Sequence, residues 1–337
     1  EDLLPKGTSH ELITAEIIQS KYLRSIWKDM TPPLRTEDIV KLSIGPEKSA
    51  KIGFKEFTDW EAILSEIIVG DAFGVDRIDY LLRDSYHAGV AYGRFDHYRL
   101  IDTLRILPLP LRDDPKQNKN YSNGNQIKAQ SKEIMLGIEE GGLHSAESLL
   151  LARYFMFMQV YCHPVRRIYD IHLRDFLKEW LPEGTFSKSI PRHLNHTDAE
   201  IMVALRKACK SSKKSGYLHA NRIINRLHFK VLYSRNPDDI QINPDSVTII
   251  FEETYKKFGE ENVRMDDYKQ KGGAPVFPVL ERDDRIVSSL DASHTLRNLP
   301  VVATGFVFIE REHYNDADKW LQENRRKILE NYKTKEN

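Results

Sequence analysis

The densest run of polar chemistry in this sequence is GDAFGVDRIDYLLRDSYHAGV, residues 70–90. Wound as a helix at about 100° per residue, it gathers Asp76, Asp79, Tyr80, Arg83, Asp84 and His87 on one face. Ile78, Leu81, Leu82, Ser85, Ala88 and Gly89 take the other. The polar face has no Lys and no Glu, the residues that usually solvate a helix. Short carboxylates, a phenol, a guanidinium and an imidazole are the groups that bind metals, sugars and phosphates. The same spacing also suits an amphipathic surface helix laced by ion pairs such as Asp79–Arg83, and periodicity leaves both readings open.

Other candidates are more scattered. Arg153 stands in an otherwise apolar helical stretch of Leu, Phe, Met and Tyr, where a cation needs an anionic partner; a phosphate or a buried carboxylate would both serve. Arg153 and Tyr161 are eight residues apart, so one helix face can present both. His10 opens a helix, an ordinary place for a histidine. His163 beside Pro164 reads as structural. His193-x-x-His196 has the spacing of helical metal ligands, but it sits beside Pro191 with no Cys nearby and reads as a loop. Cys162 reads as a buried, inert thiol.

The elements that must position these groups are mostly helical. Thr8-Ser9-His10-Glu11 is a helix start, with Thr8 able to cap and Glu11 to reach back, and Pro32-Pro33 closes that region. Helices are expected over Trp60–Val69, about Asp76 to Gly89, and Ala146–Leu181 with a kink at Pro164. More follow at Asp198–Lys210, around Asn221–Tyr233, and at 252–258 and 315–334. Residues 107–130 and 183–197 read as exposed loops. Ser246–Phe251, Asn262–Met265 and Val301–Ile309 are short β-type runs. The expected architecture is mainly α: a helical body over 1–235, then a small α+β domain over 236–337. The KTKEN tail reads as a solvated end.

Composition narrows the classes. The chain has 337 residues, with 50 Lys plus Arg against 50 Asp plus Glu, so no global charge recruits nucleic acid or a membrane surface. No apolar run reaches the roughly 18 residues of a membrane span. Two cysteines without a CxxC and no visible signal peptide suit a cytoplasmic protein.

V-D-R-I-D-Y-L-L-R-D-S-Y-H-A-G resembles the D-x-x-D-Y-x-x-R-D-x-x-H-x-G signature of HD-superfamily deoxynucleoside triphosphate triphosphohydrolases, the bacterial relatives of the SAM- and HD-domain dNTPase. G-R-F-D-H-Y-R-L, L-A-R-Y-F-M-F-M-Q-V-Y-C-H-P-V at 151–165 and R-L-H-F-K at 226–230 follow in the same order. The resemblance implies a helical HD-domain bundle and metal-dependent hydrolysis of dNTPs to deoxynucleoside and tripolyphosphate. It implies Asp76 as a metal ligand and Arg77 and Arg153 on substrate phosphate. Tyr80 would lie against the deoxyribose, Asp84 would accept the 3′-hydroxyl, and Tyr161 would lie near the base. It makes His10 the catalytic histidine near the scissile phosphate, with Glu1 as its acidic partner. It further implies a homodimer or homotetramer and a nucleotide activator held by Arg99, Arg226 and Lys230. The divalent ion would be Mg, Mn, Fe or Zn, all of which accept oxygen and imidazole ligands.

One departure bears on that expectation. The family's metal site uses a His and a His-Asp pair upstream of the counterpart of His10, and this sequence has no His-Asp dipeptide and no His before His10. The expectation is therefore an N-terminally incomplete enzyme, consistent with a first residue that is not Met. The alternative is a non-catalytic nucleotide-binding or assembly subunit derived from an HD phosphohydrolase. Another HD phosphohydrolase, acting on a nucleotide monophosphate or cyclic nucleotide, is a third reading.

Overall fold

The computed structural model describes residues 2–54, 57–109, 134–270 and 273–333. Glu1, the final four residues and nearly all of the stretch read as a loop at 107–130 lie outside the described residues. The fold is mainly α with two small sheets, the second of them in a C-terminal α+β region. The chain forms two compact units that are not sequential stretches. The first comprises Glu11–Met156 and Gly272–Val301; the second comprises Glu1–His10, Phe157–Lys271 and Val302–Asn337. The sequence reading drew its boundary at 235 instead.

In the first unit, Asp59–Val69 is a helix because Thr58 and Glu61 form a capping box: the Thr58 side chain accepts from the Glu61 N–H, and the Glu61 carboxylate accepts from the Thr58 N–H. It stops at Gly70. After a short turn Val75–Ala88 begins, and it stops at Gly89. Gly74 is required at that entry. A Cβ there would lie 2.6 Å from the Gly70 carbonyl oxygen and 2.8 Å from Asp76 Oδ1. Ile78, Leu81 and Ser85 are buried, at the spacing of a helical apolar stripe. His97–Asp102 and Leu143–Met156 complete the framework around the site.

Among its described residues the first unit also holds four strands: β1 (Leu104–Pro108), β2 (Ile134–Glu139), β5 (Pro278–Leu280) and β6 (Ile286–Ser288), in the order β1-β2-β5-β6. β1 and β2 are antiparallel with Leu104 opposite Ile138, β2 and β5 parallel, β5 and β6 antiparallel. The Leu136 N–H donates to the Glu66 carboxylate at 2.8 Å, tying β2 to the helix that leads into the site.

The second unit carries β3 (Lys230–Ser234), β4 (Val263–Lys269) and β7 (Ala303–Ile309) in the antiparallel order β3-β7-β4. β7 is covered on both faces, so its apolar run is almost continuous. Phe306 and Phe308 pack with Ile168, Ile171 and Phe229, while Val307 and Ile309 pack with Val247, Ile250 and Leu321.

Three local expectations change. Ser246–Phe251, read as β-type, is the start of a helix, Ser246–Phe258. Its β-branched residues bury Val247, Ile249, Ile250 and Thr254 at helical spacing, and tertiary packing overrides their strand preference. The helix expected around Asn221–Tyr233 ends at Ile224. Arg226 adopts φ 56°, and Lys230 opens β3. Residues 183–197 include a short helix, Ile190–Asn195. The expected break at Pro164 is present: Leu143–Met156 runs into a π-helical turn, Phe157–Tyr161, and Pro164 then opens Pro164–Trp180.

Candidate active site

Asp76, Arg77, Tyr80, Asp84 and Arg153, all expected site residues, belong to the first unit, on Val75–Ala88 and Leu143–Met156. Arg77, on the first turn of Val75–Ala88, folds back. Its guanidinium donates to the Gly70 carbonyl oxygen and, at 2.8 Å, to Asp71 Oδ1. Arg153, near the end of Leu143–Met156, donates from Nη1 to the Asp71 carbonyl oxygen at 3.3 Å. Tyr80, on the same helix as Arg77, is half-buried. Burial pushes its phenol upward; Arg153 and then Arg77 pull it down, while Asp76 and Asp84 push it up. Tyr80 thus feels two guanidiniums and two carboxylates together, on a helix whose opposite face is core.

The remaining polar residues of this helix behave as the surface reading expects. Arg83 pairs with Asp79 at 2.9 Å and with Asp84 at 3.8 Å. His87 is exposed and its ring lies 5.4 Å from that of Tyr86.

Asp76 is exposed at the start of the helix, where its Oδ1 accepts the Arg77 N–H at 2.7 Å. Among the described residues no three His, Cys, Asp or Glu side chains come together in a way that could hold a metal ion. A stable divalent site needs several protein ligands, so the described residues do not by themselves fit the expected metal.

His10 and Tyr161 belong to the second unit by its segments. His10 is exposed at the first position of His10–Gln19. Tyr161 closes the π-helical turn with its ring 5.1 Å from Phe157, and its carbonyl accepts from Arg166 at 2.6 Å. Single π turns recur at functional positions, and nothing in the sequence pattern announces this one. Of the residues expected to hold an activator, Arg99 donates from Nε and Nη2 to the Gly141 carbonyl at 3.2 and 3.1 Å. Arg226 is exposed, and its carbonyl accepts from Arg311. Lys230 lies over the Tyr314 ring at 4.6 Å.

His163 is structural as read: its side chain accepts the Val165 N–H at 3.3 Å and caps the following helix. Cys162 is buried, and burial pushes its thiol up, away from reactivity. Asp71 is the residue that sequence reasoning leaves out. It lies in the quoted GDAFG run, but turn residues carry no periodicity that would single it out.

Parts of this chain are similar to known proteins. Residues 125–266 match the family described as HD associated region. The chain is 29% identical over 157 residues to the uncharacterised protein YwfO of Bacillus subtilis, covering 45% of this chain and 30% of that protein. It is 38% identical over 109 residues to the uncharacterised protein MJ1154 of Methanocaldococcus jannaschii, covering 32% and 19%. The chain thus spans less than a third of the length of these curated relatives. A hypothetical protein from Aquifex aeolicus has a similar solved structure, with TM-score 0.63 and 29% identity over 94% of this chain and 75% of that one. A phosphohydrolase from Bacteroides thetaiotaomicron shares the fold, with TM-score 0.59 and 19% identity over 92% and 74%. The chain thus carries a region similar to the family described as HD associated region and shares its fold with a phosphohydrolase.

Proposed function

We propose that this chain forms the substrate-binding part of an HD-type phosphohydrolase that acts on deoxynucleoside triphosphates, releasing deoxynucleoside and intact tripolyphosphate. The observation that carries the reading is the convergence of Arg77 and Arg153 on the Gly70–Asp71 turn, beside Tyr80 and Asp84. Two guanidiniums on one turn are the planar donor forks that suit a polyphosphate. Held in place before substrate arrives, they neutralise charge that develops on the leaving phosphates. The Tyr80 ring packs against the sugar and Asp84 accepts the 3′-hydroxyl.

The structural relative described as a phosphohydrolase and the HD-associated match support hydrolysis as the reaction class. Asp76 serves as one of several ligands to the divalent ion that the resemblance implies; the described residues alone do not complete that set. The same observation favours, as a second reading, a nucleotide-binding subunit without turnover. The full-length protein incubated with dGTP and Mn²⁺, with products separated by anion exchange, distinguishes the two. Deoxyguanosine with tripolyphosphate is expected. Release of pyrophosphate or orthophosphate would exclude a triphosphohydrolase, and tight dGTP binding without product would establish the binding subunit.

A further inference from the structure

We propose that a cavity in the second unit, beside Phe186, binds a small aromatic phosphate: a planar ring joined to a phosphate group. The cavity has a volume of about 530 Å³, within the range of small-molecule sites. Its lining divides by chemistry. Pro5, Pro182 and Phe186 give it flat apolar walls, and Lys188 and Arg192 give it two cations. Thr185, Ser187 and Asn195 add neutral hydrogen-bonding groups, and Glu183 is the one carboxylate in the lining.

The flat wall is held in place before any ligand arrives. The Phe186 N–H donates to the Leu3 carbonyl at 2.9 Å. The Phe186 ring lies 5.7 Å from His193 and 5.6 Å from His196; His196 packs on Trp180 at 5.8 Å, and Trp180 stacks on Phe176 at 6.0 Å. A ring backed by a column of rings is a stacking surface with little entropy left to lose.

The cations set the ligand's charge. Among the described residues, Lys188 and Arg192 form no ion pair, whereas other arginines of this unit do: Arg167 with Asp266, Arg222 with Glu310, Arg264 with Asp175. Two unneutralised cations beside hydroxyls and an apolar ring suit an anion with an aromatic body, and disfavour a cation or a metal ion. None of these residues belongs to the proposed site around Tyr80, so the inference stands apart from the function proposed above.

The test is calorimetric titration of the protein with 5′-AMP, adenosine and inorganic phosphate, repeated on the Lys188→Glu/Arg192→Glu variant. 5′-AMP is expected to bind saturably and more tightly than either fragment. The double variant should weaken 5′-AMP by about tenfold or more, the loss of a charge-assisted contact, and leave adenosine unchanged. Because the site proposed around Tyr80 would also take a nucleotide, the titrations are repeated in an Arg153→Ala background, where the same weakening is expected. A Lys188→Gln/Arg192→Gln variant with the wild-type melting temperature guards against unfolding. Equal affinity for 5′-AMP and adenosine, unchanged 5′-AMP binding in both double variants, or loss of binding through Arg153→Ala alone would each overturn the proposal.

Discussion

Arg153 reaches 82 residues back along the chain to donate from Nη1 to the Asp71 carbonyl at 3.3 Å, while Arg77 holds the carboxylate of the same Asp71 at 2.8 Å. One turn residue is thus gripped at its backbone by one arginine and at its side chain by another. An exposed ion pair of this kind contributes little stability, about 0–1 kcal/mol. Its use is to hold two guanidiniums side by side.

Arg153→Ala should therefore weaken dGTP binding far more than it weakens the fold. We expect a rise in Kd of about tenfold to a hundredfold, the loss of charge-assisted hydrogen bonds to phosphate, with a melting temperature close to wild type. Arg153→Lys should recover only part of it, because an ammonium cannot form the planar fork. Equal dGTP affinity in all three proteins would remove Arg153 from the site.

Sugar selection should sit at Tyr80 and Asp84, one helical turn apart. Tyr80→Ala in the active full-length protein should narrow the preference for dNTP over NTP, since an apolar pocket rejects an added hydroxyl only weakly, by about a hundredfold. Asp84→Asn should raise KM for dNTPs while leaving 2′,3′-dideoxy substrates nearly unaffected. An unchanged dNTP/NTP ratio in Tyr80→Ala would show that this face does not form the sugar pocket.

Residues 1–337 alone should retain metal at well below one ion per chain after gel filtration and should release no triphosphate. Asp76 is a single ligand, and a single carboxylate holds a divalent ion poorly. Metal analysis by mass spectrometry checks the first point and phosphate release the second. Robust dNTP hydrolysis by these residues would overturn the ligand assignment.

His172 gives the second unit a pH dependence. It is fully buried, and burial, followed by the charge of Arg222, lowers its pKa from 6.5 to about 3. Burial lowers His219 and His228 as well. A depressed folded value means that the stabilisation is present above pH 6.5 and is lost as pH falls from there toward 3. Each such group costs up to about 1.4 kcal/mol per pH unit in that window. Denaturation midpoints should fall between pH 6.5 and 5, and His172→Gln should flatten the slope while keeping an acceptor for the Phe229 N–H. A His172→Gln profile parallel to wild type would contradict this.

If Arg226 and Lys230 hold an activator phosphate between subunits, Arg226→Glu should lower both oligomeric mass and nucleotide activation. Light scattering and activity titration report the two separately. No change in either would leave both residues as ordinary surface cations, Lys230 resting on Tyr314.

The helix at 75–88 is legible in the sequence because its apolar stripe and its short polar residues separate cleanly at helical period. Its stop at Gly89 and the break at Pro164 are legible for local reasons of backbone geometry. The sheet of the first unit is not. β1 and β2 are five and six residues long, and β2 carries a glycine, Gly137, within the strand. It is needed because a Cβ there would lie 2.4 Å from the Pro278 carbonyl, a neighbour 141 residues away that no local pattern reveals. Ser246–Phe251 misleads for the opposite reason: its residue types favour a strand, and its burial makes it a helix. Within the site, residue types and spacing point to Tyr80, Asp84 and Arg153 and the family resemblance adds Arg77, whereas the role of Asp71 depends wholly on two arginines arriving from elsewhere.

The interleaving of the two units bears on how the chain leaves the ribosome. β2 ends at Glu139, and its parallel partner β5 begins only at Pro278, after most of the second unit has been made. At roughly 5–20 residues per second, the free edge of β2 waits on the order of ten seconds for that partner. During that interval it is an unpaired strand edge, the kind that recruits other chains. Stopping synthesis at 235 would make the wait permanent, so the first unit cannot be obtained by cutting the chain where its helical body seems to end.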